Sequence, residues 1–224
     1  MINAIILIPE VTKGMKSVGS KSLLKIKNNK YIVHHQVEQL YSISKKINIT
    51  VATGFDHDKV AKALEKYPNV NIIRNADYQQ TNFGKCIELY LNQSPKIDNL
   101  LIVNSGVLFK QHTFALTHFR AKSKLFVLDK PKNNFDIGCS TGLVVEYLFY
   151  DLPIKWSECV YLNEDAVTNL HKLLESCSIS QMYIFEILNK LISSNTIFEQ
   201  QVVPKSNFLK ISTAKDLNRA RMFV

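Results

Sequence analysis

The chain has 224 residues, of which 46% are hydrophobic and 21% are charged, so it is long enough to bury a sizeable core and has an ordinary globular composition. No apolar run approaches the roughly 20 residues of a membrane-spanning helix, and the first residues lack the basic region and cleavage site of a signal peptide. We therefore expect no membrane span, no secretion by a signal peptide, and a location in the cytoplasm or within an intracellularly assembled particle.

Strand and helix signals alternate in the first half of the chain. The predicted strands cover residues 3–8, 48–54, 69–75 and 99–105, and the predicted helices cover 31–43, 57–67 and 83–93. Continuous apolar runs such as NAIILI are typical of buried parallel strands, while Asp56 is placed to cap the second helix. The series predicts an α/β fold with a mostly parallel twisted sheet and helices on both faces.

The second half breaks this alternation. Strands are predicted over 124–130, 140–149, 158–162, 197–203 and 208–211, and helices over 164–176, 180–193 and 214–222. No repeat, low-complexity tract or linker rich in Pro, Gly or Ser divides the chain. The pattern favours a single domain with a small antiparallel extension.

The net charge of +9 makes anionic partners plausible, because a positive field attracts phosphate groups. Six lysines lie in the first thirty residues, but no arginine-rich run or basic segment with interleaved aromatic residues follows them. A solvated lysine surface is therefore a better interpretation than a nucleic-acid groove. A nucleic-acid-associated protein remains a third hypothesis, behind the two functions considered below.

Four stretches carry a resemblance to a known family. They are AIILIPEVTKGMKSVGSKSLLKI, then YIVHHQVEQL with NITVATGFDHDKV, then NADYQQTNFGKCIEL, and finally FLKISTAKDLNRAR. In order and spacing they resemble the sugar-phosphate and choline-phosphate nucleotidyltransferases, the cytidylyltransferase-like proteins with the nucleotide-diphospho-sugar transferase fold. The resemblance is weakest over 110–155. It implies one Rossmann-like domain over 1–224, with a nucleotide-binding half at 1–109 and a substrate or extension half at 110–224.

The resemblance implies attack by a substrate phosphate oxygen on the α-phosphorus of a nucleoside triphosphate, with release of pyrophosphate. The family supports this reaction with a Gly-rich loop, an arginine, a lysine and a magnesium ion held by two aspartates, which position the reactants and neutralise phosphate charge. The residues that it places at the nucleotide are Ile8, Pro9, Glu10, Lys13, Lys21, Gly54 and Asn104. The residues that it places at the substrate are Asn75, Tyr78 and Asn82, which are equally typical of loop-capping side chains.

The loop departs from the family pattern. Where the family has Ala-Ala-Gly-x-Gly-x-Arg-Met, this chain has IPEVTKGM at 8–15. Glu10 brings a negative charge toward a triphosphate, Pro9 removes a backbone N–H donor, and Gly14 stands at the arginine position. Lys21 is the signature residue that remains and is the best candidate for a catalytic or phosphate-binding group.

Both expected metal ligands differ as well. The family's Gly-Asp-x-x-Phe aligns with 105–109, so that Gly106 stands at the first aspartate, and Ser212 stands at the second. Thr213 and Asp216 nevertheless keep the capping pattern of the last helix, which favours true replacement over misalignment. Magnesium prefers carboxylate and phosphate oxygens, and loss of one preorganised electrostatic group commonly costs about 100- to 1000-fold in rate.

These losses predict a protein with no resident cofactor that is a noncatalytic binding or assembly module with protein partners. The alternative is a magnesium-dependent enzyme that transfers CMP or UMP from CTP or UTP to phosphocholine or a sugar phosphate. It would need replacement ligands, for which Asp136 is a candidate and Asp129, Glu164 and Asp165 are unplaced acids. The sequence leaves open whether any activity remains.

Overall fold

A computed structural model describes residues 2–8, 19–110, 113–114, 119, 121–128 and 136–224. The strands are β1 (Asn3–Ile8), β2 (Asn48–Thr53), β3 (Val70–Arg74), β4 (Leu100–Asn104), β5 (Val107–Phe109), β6 (Ser123–Leu128), β7 (Ile137–Cys139), β8 (Leu148–Tyr150), β9 (Ile154–Leu162), β10 (Phe198–Val203) and β11 (Phe208–Lys210). The helices are α1 (Ile32–Ile43), α2 (His57–Leu64), α3 (Phe83–Gln93), α4 (Glu164–Ser176), α5 (Ile184–Ser193) and α6 (Ala214–Phe223). None of these helices is long and apolar enough to cross a membrane.

The central sheet has the strand order β10-β6-β9-β4-β1-β2-β3. Strands β4, β1, β2 and β3 run parallel, β9 is antiparallel to both β4 and β6, and β10 is parallel to β6. Strands β7 and β8 form an antiparallel pair beside β9, and β5 pairs antiparallel with β11 in a separate small sheet. The predicted α/β class, with a mostly parallel sheet and a small antiparallel extension, is confirmed.

Helices cover both faces of the sheet because β1 alternates its side chains between two cores. Ile5 and Leu7 belong to a cluster that includes residues of α3, α4 and α5. Ala4, Ile6 and Ile8 belong to a second cluster with residues of α1 and α2. A strand that is buried on both faces has no polar side to present to water, which explains its continuous apolar sequence.

The strand predicted over 140–149 is wrong for most of its length. Only Leu148–Tyr150 forms a strand there, while Val144 makes an isolated bridge to Glu199 at the edge of β10. Gly142 has φ +132°, a conformation outside the extended range of an L-residue strand, and Leu143 is 85% exposed. The segment therefore runs along the sheet edge, and its apolar residues do not indicate a buried strand. The helix predicted from 180 begins at Ile184.

Two adjacent histidines attach α1 to different neighbours. His34 Nε2 lies 2.8 Å from the Ala63 carbonyl oxygen, and His35 Nε2 lies 3.2 Å from the Phe109 carbonyl oxygen. Burial lowers the pKa of both side chains below the ordinary value of 6.5. Below pH 6.5 the two imidazoles bind protons in the unfolded chain more readily than in the folded chain, which favours unfolding. The stability that the two buried neutral imidazoles contribute is therefore present above pH 6.5 and is lost as the pH falls.

We expect the double replacement His34→Gln and His35→Gln to cost most stability near about pH 8 and progressively less toward about pH 5. Urea unfolding of the wild type and the double variant across this range gives the difference in unfolding free energy at each pH. An equal difference at both ends of the range would contradict the lowered pKa values.

Candidate functional site

The carboxyl ends of three neighbouring parallel strands meet at one edge of the sheet. In the register of β1, Ile8 lies opposite Thr53 at the end of β2, and Leu7 lies opposite Asn104 at the end of β4. Gly54 follows directly and donates its N–H to the Ile8 carbonyl oxygen at 3.0 Å. The structure thus brings together Ile8, Gly54 and Asn104, three of the residues predicted at the nucleotide. Clefts at this edge are the usual ligand sites of open α/β sheets.

The turn after β4 is held from several sides. Ser105 N–H donates to the Leu7 carbonyl oxygen at 3.0 Å, and the buried Gln36 side chain donates from α1 to the carbonyl oxygens of Asn104 and Val107, both at 3.0 Å. Gly106, at the tip of the turn, has φ +76° and accepts a hydrogen bond from Ile211 N–H at 2.8 Å. This fixed backbone defines where a side chain at position 106 would begin.

Lys21 fills the space beside Gly106. A Cβ atom placed on Gly106 would lie 2.4 Å from Lys21 Cδ and 3.4 Å from the Ile211 carbonyl oxygen. The short 3₁₀ helix Lys21–Leu23 positions this lysine. The residue before it is fixed by Asp56, whose Oδ2 accepts from Ser20 N–H at 2.9 Å. Lys21 therefore lies in the cleft, with its aliphatic stem against the position that the resemblance assigns to a metal-binding aspartate.

The prediction that the Asp56 side chain caps α2 is wrong. Asp56 occupies the N-cap position with φ +57°, but its side chain makes no capping hydrogen bond. Instead its carboxylate accepts from Ser20 and forms an ion pair with Lys59 at 2.8 Å. The Asp56 side chain thus connects the end of β2 to Ser20, the residue before Lys21. A rule about local helix capping does not predict this long-range contact.

Ser212 lines the cleft and is exposed, and it follows Ile211, which donates its N–H to Gly106. The Ser212 N–H donates to Asp216 Oδ2 at 3.1 Å, while Thr213 and Asp216 form the reciprocal capping box of α6. The predicted cap at this helix is confirmed. Gly106 and Ser212, the two positions that the resemblance assigns to metal-binding aspartates, therefore lie at the same cleft.

The cleft has a volume of about 350 Å³ and one aromatic wall. Rings from α3, β8 and the start of α5 contact one another in sequence, with centroid separations of 6.3 Å for Phe83 and Tyr183, 6.1 Å for Tyr183 and Phe185, and 5.9 Å for Tyr150 and Phe185. Trp156 of β9 lines the same space. Such a wall suits the apolar or planar part of a small ligand.

A network of charges forms the other side of the cleft. The Lys210 ammonium lies 2.9 Å from Asp136 Oδ1 and also contacts Glu158 Oε1. Lys155 forms an ion pair with the other oxygen of Asp136. Asn104 Nδ2 donates to Glu158 Oε2 at 2.8 Å. The network therefore joins β4, β9 and β11 to the residue that precedes β7.

Two groups of the network, Lys210 and Asp136, have pKa values that are shifted toward their charged forms. Burial by itself would lower the pKa of Lys210, but the adjacent Glu158 and Asp136 carboxylates raise it above its ordinary value. Burial would raise the pKa of Asp136, and its hydrogen bonds to Lys155 and Lys210 outweigh that effect and lower it. Both groups consequently keep their charge over the range in which proteins usually work.

The residues predicted at the substrate lie in the loop before α3. Asn75 is buried, donates to Thr81 Oγ1 at 3.0 Å and accepts from Asp77 N–H at 3.1 Å. Asn82 caps α3 by accepting from Phe83 N–H, and the Tyr78 ring packs against Phe55. These three side chains do not border the cleft described above, whereas the following residue, Phe83, does. Their contact with a substrate stays a prediction.

Three of the residues predicted at the nucleotide, Pro9, Glu10 and Lys13, lie outside the described residues, as does Asp129. Of the other unplaced acids, Glu164 and Asp165 stand in the first turn of α4, which Asn163 caps. Among the residues that the structure describes, no three or more His, Cys, Asp or Glu side chains come together where they could hold a metal ion. Asp136 approaches the cleft, but it does so paired with lysines.

Sequence reasoning missed Glu158 and Lys210. Glu158 lies in β9 with φ +59°, at an irregularity where Val127 pairs with Trp156 and Leu125 pairs with Val160. The two charged residues of β9, Lys155 and Glu158, were the available signal, since a bulge re-aims a side chain and often lies next to a functional site. Nothing local identifies Lys210, which faces Glu158 only after β11 has paired with β5.

We expect Gly106→Ala to lower the unfolding free energy by about 3 kcal/mol, from the positive φ and the overlap with Lys21 Cδ together. In a Lys21→Ala background the overlap is removed, so the cost should fall by about 1 kcal/mol or more. Denaturant unfolding of the wild type, both single variants and the double variant measures this coupling. Strictly additive costs would show that Lys21 does not occupy the space.

Comparisons with known proteins give the fold a name. No protein-family model and no curated protein sequence matches the chain. Solved structures do match over 99% of it. CTP:phosphocholine cytidylyltransferase from Streptococcus pneumoniae matches with a TM-score of 0.80 and 18% identity over 98% of that chain. A nucleoside-diphosphate-sugar pyrophosphorylase from Vibrio cholerae RC9 matches with a TM-score of 0.77 and 10% identity over 100% of that chain, and the inositol-1-phosphate CTP transferase from T. maritima matches with a TM-score of 0.75 and 14% identity over 94% of that chain. The chain has the nucleotidyltransferase-like fold that the sequence resemblance predicts.

Proposed function

We propose that this protein is a nucleotidyltransferase-like pseudoenzyme, a noncatalytic module for binding or assembly. The proposal rests on the cleft, because many functions share one fold and only the site separates them. Its central observation is at Gly106, which has no side chain and where an added Cβ atom would lie 2.4 Å from Lys21 Cδ. A carboxylate cannot stand at this position unless Lys21 moves.

The cleft residues that the structure describes do not fit a magnesium ion. Magnesium requires near-octahedral oxygen ligands and is usually held through carboxylates and substrate phosphates. Ser212 offers an exposed hydroxyl in place of a carboxylate. The two nearby carboxylates, Asp136 and Glu158, already contact the Lys210 ammonium. We therefore derive no catalytic step through a metal ion.

The assembly part of the proposal is supported by exposed apolar side chains in the second half of the chain. Leu143 is 85% exposed, Ile197 is 64% exposed and Phe149 is 58% exposed. Leu143 lies beside β10, since its carbonyl oxygen accepts from Gln200 N–H at 2.9 Å, and Val202 of the same strand is also exposed. Leu143 and Val202 thus share the edge at β10, and contiguous apolar side chains on a protein surface commonly mark contacts with other proteins.

The alternative function is a magnesium-dependent enzyme that transfers CMP or UMP to phosphocholine or a sugar phosphate. It is favoured by the retained Lys21, by the aromatic wall and by full-length likeness to structures whose names include CTP:phosphocholine cytidylyltransferase and inositol-1-phosphate CTP transferase. Lys21 would bind a phosphate oxygen, and the aromatic rings would bind the acceptor.

Thermal melting separates the two functions. We expect the melting temperature to show no magnesium-dependent increase with CTP, UTP, ATP or GTP, because the carboxylates described near the cleft, Asp136 and Glu158, are paired with Lys210. A coupled assay should detect no pyrophosphate when phosphocholine or glucose 1-phosphate is added with CTP or UTP.

The matched controls are Lys21→Ala, which removes an ammonium from the cleft, and Lys172→Ala, which removes an exposed one from α4. Pyrophosphate release that requires magnesium, stops with a chelator and is lost in Lys21→Ala but kept in Lys172→Ala would refute the proposal and support the enzyme. Stabilisation by a nucleotide without magnesium and without pyrophosphate release would support a binding module.

A further inference from the structure

Lys210 occupies the position of a bound cation. Its ammonium contacts a carboxylate oxygen of Asp136 at 2.9 Å and one of Glu158, and the side chain is 30% exposed. Glu158 and Asp136 are 18% and 21% exposed, so all three groups are largely withdrawn from water. Two carboxylates that converge on one point are an arrangement that divalent ions commonly use.

The two carboxylates are brought to this point from separate parts of the fold. Glu158 is carried by β9 in a left-handed backbone conformation, with φ +59°, that a residue with a side chain seldom adopts. Asn104, at the end of β4, donates to its second oxygen at 2.8 Å. Asp136 stands immediately before β7. Such unfavourable backbone persists where the surroundings fix it and is frequent at functional sites.

The number of lysines in the cluster equals the number of carboxylates. Lys155 contacts the oxygen of Asp136 that Lys210 does not, so two ammonium groups neutralise two carboxylates. Lys155 is 14% exposed. A divalent ion that entered would have to displace a tethered ammonium and then lie beside the remaining one. Coulomb repulsion at such separations is strong away from bulk water.

We propose that the Lys210 ammonium is a resident cation of this cleft, which takes the place of a divalent metal ion between Asp136 and Glu158 and excludes it. The inference rests on the proposed noncatalytic function and adds a reason why the cleft keeps its shape without a metal. Lys210 is a positioning residue that holds the two carboxylates together. Removal of its charge should turn the pair into a site for a divalent ion.

The test is a gain of metal binding. We expect Lys210→Met to bind Mn²⁺, measured as loss of the electron paramagnetic resonance signal of free Mn²⁺, at least about tenfold more tightly than the wild type. Lys155→Met is the matched control, because it removes an ammonium from Asp136 and leaves Lys210 in place. It should show no comparable gain. Lys210→Arg should behave as the wild type does.

A double variant tests whether the gain of Mn²⁺ binding depends on the carboxylates of the cleft. Adding Glu158→Gln to Lys210→Met should return Mn²⁺ binding to the wild-type level, since one of the two carboxylates is gone. Circular dichroism melting verifies that each variant is folded, and Lys210→Gln replaces Lys210→Met if the latter does not fold. The wild type itself should show no melting shift with millimolar Mn²⁺.

Several outcomes overturn the inference. They are wild-type Mn²⁺ binding as tight as that of Lys210→Met, no gain in any folded Lys210 variant, or a gain that survives Glu158→Gln. The failure of this inference is distinguishable from failure of the proposed function. Pyrophosphate release by the wild type would refute the noncatalytic function, whereas an absent gain of Mn²⁺ binding would refute only the role of Lys210.

Discussion

The burial of β1 between two hydrogen-bonded neighbours is the constraint on which the rest of the fold depends. All six of its residues are buried, and it pairs in parallel with β2 on one side and β4 on the other. Full burial of each large aliphatic side chain is worth about 1.5–3 kcal/mol, and a shift by one residue would exchange the two cores. The ends of the three strands are therefore fixed relative to one another.

That fixed edge explains why a cleft persists whatever chemistry it carries. The turn at 104–107 is held by backbone and by Gln36, and the small β5 and β11 sheet brings the segment before α6 beside it. These contacts involve main chain and the Gln36 side-chain amide, so they do not require a metal or a nucleotide. Charged side chains at the rim can therefore change while the scaffold remains.

The sequence predicted the parts of the structure that local patterns determine. The first four parallel strands, the helices between them and the capping box at Thr213 follow from apolar periodicity and helix-end chemistry. The strand predicted over 140–149 was wrong, because apolar content does not reveal exposure at a sheet edge. Gly106 and Lys21 were placed at one cleft by resemblance, but their contact depends on a three-dimensional approach that no spacing encodes.

The charge network, like the contact of Gly106 with Lys21, could not be predicted from sequence spacing. Glu158, Lys210, Asp136 and Asn104 come from distant parts of the chain, and only the completed sheet register makes them neighbours. Once they are neighbours, a tethered ammonium differs from a metal ion in one respect that matters for function. A metal ion exchanges with solvent, and its occupancy depends on its concentration, whereas Lys210 is part of the chain and is always present. The proposed resident ammonium would thus supply the two carboxylates with a counter-charge that does not depend on the metal concentration.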